Sequence, residues 1–242
     1  MRKPIYTLLL PLVLLVACGS DQTVNKPVAP ASESRLPELK STTASTVPEP
    51  WSSVIAAVKS TEKVTNLAGD ESYRRTLSDL REAERKGNPE EIYFFVSAIS
   101  LGNALSNTDA YYTVIPTLQN LIKSNPDFIK AHWGLGFAYY NLTLAYMYAR
   151  HDAKQQPTGL FTFPLDDETA KLLYTAFSEA LISFRMGYFS EPNLLEMAAA
   201  KLIPYCHDNY GTPSGKTICE PLGNDITYLL SRTDNPLSRI LH

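Results

Sequence analysis

The chain has 242 residues, 44% of them hydrophobic and 19% charged, so it is long enough for a sizeable core and too apolar for wholesale disorder. The formal charge is −3 and no basic cluster occurs, which argues against a nucleic-acid partner. Three cysteines are too few for a disulfide-dense miniature scaffold.

Residues Met1–Cys18 read MRKPIYTLLLPLVLLVAC. Arg2 and Lys3 make a positive start, and Ile5–Ala17 is an apolar run of about 13 residues, short of the roughly 20 that span a bilayer. A buried core helix is the alternative, which Pro4, Pro11 and the charged lead disfavour. A secretory signal peptide fits better. The end of the run, Leu15-Val16-Ala17-Cys18-Gly19, resembles a bacterial lipobox. That resemblance implies removal of residues 1–17, a thioether-linked diacylglycerol on Cys18 and acylation of the new amino group. Several acyl chains anchor a protein stably, at about 0.8 kcal/mol per buried methylene. Gly19 rather than Asp follows the cysteine, so the same resemblance implies the outer membrane of a Gram-negative bacterium, with the body in the periplasm. Loss of Arg2 and Lys3 takes the formal charge from −3 to −5, a mild excess.

Residues 18–50 form the expected tether. Ser, Thr, Pro and Glu dominate there without apolar period, so the segment buries too little surface to offset its ordering entropy. From Trp51 to His242 the composition turns helical. Apolar residues recur at three-and-four spacing over Trp51–Val64, Asp70–Lys86, Glu90–Leu105 and Asp109–Lys123. Gly69, Gly87-Asn88-Pro89, Ser106-Asn107-Thr108 and Asn125-Pro126 break the pattern between them. The expected fold class is all-α, built from antiparallel helix pairs.

Self-comparison adds a repeat. Leu101-Gly102 recurs as Leu135-Gly136, an offset of 34 residues. One unit would run from Phe95 to Phe128, presenting Ala98, Leu101, Gly102 and Leu105 from its first helix and Val114, Leu118 and Leu121 from its second, with Pro126 closing it. The next opens with Ala131-His132-Trp133-Gly134-Leu135-Gly136-Phe137-Ala138-Tyr139-Tyr140-Asn141-Leu142, which resembles the first helix of a tetratricopeptide repeat. Ala180, Phe184, Gly187 and Pro192 keep the family's spacing for the second helix, displaced by an inserted loop over residues 151–166. Trp133 stands one place later than the family's tryptophan. The resemblance covers residues 95–192 and implies a solenoid of antiparallel helix pairs, with Gly136 at a close crossing and Tyr139 and Leu135 in the seam. Leu194–Tyr205 and Asp225–Arg232 read as further helices outside the repeat signature.

Candidate chemistry is sparse. Gly211-Thr212-Pro213-Ser214-Gly215-Lys216-Thr217 has one residue too few for a phosphate-binding loop, and Pro213 removes an amide, so it reads as a plain loop. Cys206 and Cys219 bracket that segment. In an oxidising periplasm they pair as a disulfide; two free thiols are the alternative, and zinc lacks a fourth ligand near His207. His132, His151, His207 and His242 form no metal or catalytic array, and no nucleophile elbow occurs. Asp166-Asp167-Glu168 reads as a helix N-terminus. The aromatics Tyr111, Tyr112, Trp133, Tyr140, Tyr146 and Tyr148 are either core residues at helical spacing or the lining of a binding groove.

These readings give an expectation without an enzyme, cofactor or metal: an outer-membrane-anchored scaffold or assembly factor that binds an envelope protein. The alternative is a small-ligand carrier, like the periplasmic tetratricopeptide lipoproteins proposed to partner TRAP-type transporters.

Overall fold

The computed structural model describes residues 47–59, 70–103, 107–150, 165–189 and 193–238. The expected signal peptide 1–17, the expected lipid site Cys18, the expected tether up to residue 46 and residues 151–164 of the expected insertion lie outside the described residues. The helices are α1 (Trp51–Lys59), α2 (Glu71–Lys86), α3 (Pro89–Asn103), α4 (Tyr111–Ser124), α5 (Ile129–Arg150), α6 (Asp167–Arg185), α7 (Leu194–Asn209) and α8 (Pro213–Leu230). A 3-10 turn, Thr108–Ala110, leads into α4, and no strand occurs among the described residues. The body is all-α.

Local chemistry sets most of the helix ends. The Asp70 carboxylate accepts from the Tyr73 amide at 3.0 Å and starts α2. Gly87 ends it in the left-handed region at φ 69°, where its amide reaches the Ala83 and Glu84 carbonyls. Asp166 and Thr169 form a reciprocal capping box at the start of α6, and Asn193 caps α7 through the Glu196 amide at 3.1 Å. Asn193 also donates to the Pro236 carbonyl and so holds the C-terminal segment against α7.

From α2 onward each helix packs on the next in the chain, and α3 with α5, α5 with α7, and α6 with α8 also touch. Helix α5 lies at the centre. It meets α1, α3, α4, α6 and α7, and buries Ala131, Leu135, Ala138, Tyr139, Tyr140, Leu142 and Met147 around most of its circumference. Its widest contact is with α6, whose Leu173, Ala176 and Phe177 are fully buried. The crossing is close at Gly136. A Cβ there would stand 2.9 Å from the Ala176 carbonyl oxygen, 3.0 Å from the Ala180 nitrogen and 3.2 Å from Leu194 Cδ2.

Four sequence expectations need correction. The folded body begins before Trp51, because Val47 is already buried. The unit placed at Phe95–Phe128 has the wrong helical phase: α3 buries Ile92, Val96 and Ile99, while Leu101 is 67% exposed and Gly102 faces open space. Leucine and glycine repeat at the family's period there without the contacts, since α3 is apolar on more than one face and its composition does not fix its phase. The segment at Gly211–Thr217 is the start of a helix rather than a plain loop. The Thr212 hydroxyl accepts from the Gly215 amide at 2.9 Å, and Pro213 stands in the first turn, where its missing N–H costs nothing. The short helix expected over Asp225–Arg232 is therefore the end of a longer one, ending at Leu230.

Cys206 of α7 and Cys219 of α8 are joined by a disulfide with a Cα–Cα distance of 5.4 Å. It closes the α7–α8 hairpin over a separation of 13 residues, a loop length worth on the order of 3 kcal/mol in the chain-entropy model. Thermal unfolding followed by circular dichroism with and without thiol reductant measures this. The reduced protein should melt several degrees lower, and a Cys206→Ala/Cys219→Ala variant should match it and no longer respond to reductant.

Candidate binding surface

The six candidate aromatics do not converge. Tyr111 is fully buried and Tyr140 is 2% exposed, so both are core residues, fixed there because α4 and α5 turn those faces inward. This corrects their assignment to a groove. Tyr112 and Tyr148 lie at the surface, 45% and 44% exposed. Trp133 is half-buried, stacked on Phe137 at 5.2 Å and edge-on to Tyr188 at 6.4 Å. It borders a hollow of only about 10 Å³ with Ala180, Phe184 and Leu194, room for one water at most. Tyr146 stands thirteen residues further along α5, about 20 Å at 1.5 Å per residue. There its hydroxyl donates to Glu168 at 3.1 Å, and the Arg150 guanidinium lies 5.2 Å over its ring. Arg150 also pairs with Asp166 at 3.0 Å and Glu168 at 2.8 Å, locking the end of α5 to the start of α6. Asp166 and Glu168 thus act as cap and ion-pair partner in a structural join.

Other surfaces were less visible in the sequence. The Trp51 ring of α1 stacks on Tyr139 of α5 with centroids 3.9 Å apart and planes within 5°. The Tyr139 hydroxyl accepts from Gln119 at 3.1 Å. Two turns earlier on the same face of α5, His132 Nδ1 meets the Glu179 carboxylate at 2.8 Å across the α6 crossing. Between α2 and α3 an open groove of about 480 Å³ runs past Asp79, Glu82, Glu90, Glu91 and the 66%-exposed Phe94. Its carboxylates are largely matched, Glu82 by Arg85, Glu90 by Lys130 and Glu91 by Lys86. The spacing of Trp51, Val54, Ile55 and Val58 was the available signal for the α1 surface; nothing in the sequence marks the α2–α3 groove.

The join between α6 and the α7–α8 hairpin is polar. Tyr205 donates to Asp167 at 2.8 Å, and Tyr174 donates to Asp225 at 2.9 Å while Arg185 pairs with the other Asp225 oxygen at 3.0 Å. Hydrogen bonds from Ser214 and Tyr205 hold the Asp167 carboxyl below its ordinary pKa. Burial pushes several phenols up to about 12: Tyr93, helped by Tyr188; Tyr140, helped by Tyr148; and Tyr174, helped by Asp225. A phenol raised above its unfolded value near 10 contributes stability that is complete below that pH and is lost as pH rises through the folded value. Alkaline titration should therefore unfold the body between about pH 10 and pH 12. The phenolate absorbance of these buried tyrosines should rise only together with the loss of helicity; ionisation of every tyrosine near pH 10 with the helices intact would contradict this packing.

Among the described residues, no group of three or more His, Cys, Asp or Glu is placed to hold a metal ion, and no helix is long and apolar enough to cross a membrane. The arrangement defines an all-α body with a central helix and a covered aromatic platform. No family model, curated protein or solved structure matches the chain.

Proposed function

We propose that the chain is a lipoprotein of the Gram-negative outer membrane, processed before Cys18, and that its periplasmic body is a tetratricopeptide-like solenoid that binds an envelope protein. In this reading residues 1–17 are the signal peptide, 18–50 the lipidated cysteine and tether, and the body is a non-enzymatic scaffold or assembly factor. The observation that carries the solenoid is the Gly136 crossing. Helix α5 meets α6 at Ala176 and Ala180, the second-helix alanine of the family pattern standing opposite its glycine across the insertion. The side-by-side contacts α3–α5, α5–α7 and α6–α8 add to it, since helices of alternate layers meet this way when helix pairs stack. The lipobox residues Leu15–Cys18 support the anchor.

One experiment tests both halves. The full chain is expressed with a photo-crosslinking residue at Tyr112 or Tyr148, both exposed, and with metabolic acyl label. Acyl label in the outer-membrane fraction, absent from Cys18→Ser, and one specific crosslinked envelope protein are expected. Labelling that persists in Cys18→Ser would end the lipoprotein reading. A bound small molecule by native mass spectrometry with no protein crosslink would favour a ligand carrier instead.

A further inference from the structure

Helix α1 is held by the body as a peptide helix is held in a groove. It presents Trp51, Val54, Ile55 and Val58 inward, the i, i+3, i+4 and i+7 positions of one face, and none is more than 4% exposed. That is the anchor pattern by which an amphipathic helix lies in an apolar groove. The receiving surface is formed chiefly by α5 and the turn before α4. Tyr139 supplies a flat platform for the Trp51 ring, its hydroxyl fixed by Gln119. At the other end Lys59 pairs with the Asp109 carboxylate at 2.7 Å. So the site has an aromatic floor, an apolar middle and an acidic end.

Two further facts set α1 apart from the other helices. It has nine residues, fewer than the roughly 12–15 below which an isolated helix is marginal in water, so it is helical because the surface holds it. Helix α5, in contrast, is braced independently by α3, α4, α6 and α7. Helix α5 therefore has supports other than α1.

We infer that the α5 face beneath α1 is a helix-binding groove which α1 occupies as an internal ligand, and that its partner is an amphipathic helix of another protein. That helix carries an aromatic anchor, β-branched residues three, four and seven places later, and a cation one place beyond for Asp109. The inference deepens the scaffold reading and rests on it for the existence of a partner. A second copy's α1 would offer only the contacts the chain already makes with its own. Covalent attachment gives that segment an effective concentration on the order of millimolar. A longer partner helix with the same anchors adds contacts beyond those nine residues and displaces α1.

The test uses the full chain and a fluorescein-labelled synthetic peptide of residues 47–59. Trp51→Ala in the chain weakens α1 in its groove, and fluorescence anisotropy should then show the peptide binding at least tenfold more tightly than to the wild type. Asp109→Lys added to that variant should weaken binding several-fold, and a peptide carrying Lys59→Glu should restore it. Equal binding to wild type and Trp51→Ala, or no binding to a Trp51→Ala chain of unchanged helicity, would overturn the inference. Hydrogen exchange on the wild type is a second measurement that needs no variant. The α1 amides should exchange at least a hundredfold faster than those of α5, through local opening; equal protection would make α1 part of the core and refute its displacement. A concentration-dependent dimer that exchanges α1 between copies would replace the foreign partner with a second chain. Crosslinking at Tyr112 and Tyr148 is read without α1, so failure of the groove and failure of the scaffold are distinguishable.

Discussion

Gly136→Leu should lower the melting temperature by roughly 6–12 °C, while the same change at Gly102 should leave it level or raise it slightly. Both glycines follow a leucine, in Leu101-Gly102 and Leu135-Gly136, and both lie inside helices. Their surroundings differ. At Gly136 even a methyl carbon meets backbone atoms of α6 at 2.9 and 3.0 Å, and backbone cannot swing aside as a side chain can. Leucine would force the two most extensively packed helices apart, a cost of about 3 kcal/mol for overpacking and backbone shift. For a body of this size each kcal/mol moves the midpoint by about 2–4 °C. Gly102 has nothing within 4 Å, so leucine there brings only its better helix propensity, just under about 1 kcal/mol in a helix interior and less near the end. Thermal melts of the two variants, followed by circular dichroism, decide the matter. A Gly136→Leu protein as stable as the wild type would remove the α5–α6 crossing from the fold.

Gly215→Ala is the second large effect expected. A Cβ on Gly215 would lie 1.8 Å from the Asn209 carbonyl oxygen and 2.6 Å from its carbon. The end of α7 therefore rests directly on the first turn of α8, and the Tyr210–Thr212 connection is too short to yield without moving a helix. The Cys206–Cys219 bond clamps the same hairpin, which blocks relief by separating the two helices. The expected loss is again about 3 kcal/mol. Gly223, further along α8, has nothing within 4 Å, and alanine there should stabilise by roughly 0.5–1 kcal/mol by restricting the unfolded chain. Denaturant unfolding of the two variants should give opposite signs. A Gly215→Ala midpoint equal to the wild type would mean that α7 does not close onto α8.

These two glycines also show how far the fold was legible. Residues that act on their own neighbours were readable. Asp166 starts a helix, Gly87-Asn88-Pro89 ends one and starts the next, and the three-and-four apolar spacing located α2 and α4 to within a few residues. Those effects span one turn of chain. At Gly211–Thr217 the glycines and Pro213 give a local pattern that reads as a plain loop, yet a helix starts there. Their reasons are positional: Pro213 sits where no amide is needed, and Gly215 is required by a carbonyl six residues earlier.

The candidate site was less legible. An aromatic on a helix reads the same whether it faces core or solvent, and only the surrounding helices separate buried Tyr111 from exposed Tyr112. Helical spacing could not gather Trp133 and Tyr146, which share one helix but stand near different neighbours, Tyr188 in one case and Glu168 in the other.

Sequence alone determined the all-helical class, most of the helix starts and stops, and the Leu15–Cys18 pattern, because each rests on propensity, capping or a short local motif. Tertiary structure alone decided which of two identical Leu-Gly steps is a crossing, which tyrosines are core, and that α1 lies against the Tyr139 platform. Those outcomes depend on what approaches a residue from elsewhere in the chain. Close packing admits or rejects a single methyl group at such a point, and no local pattern records which neighbour will arrive.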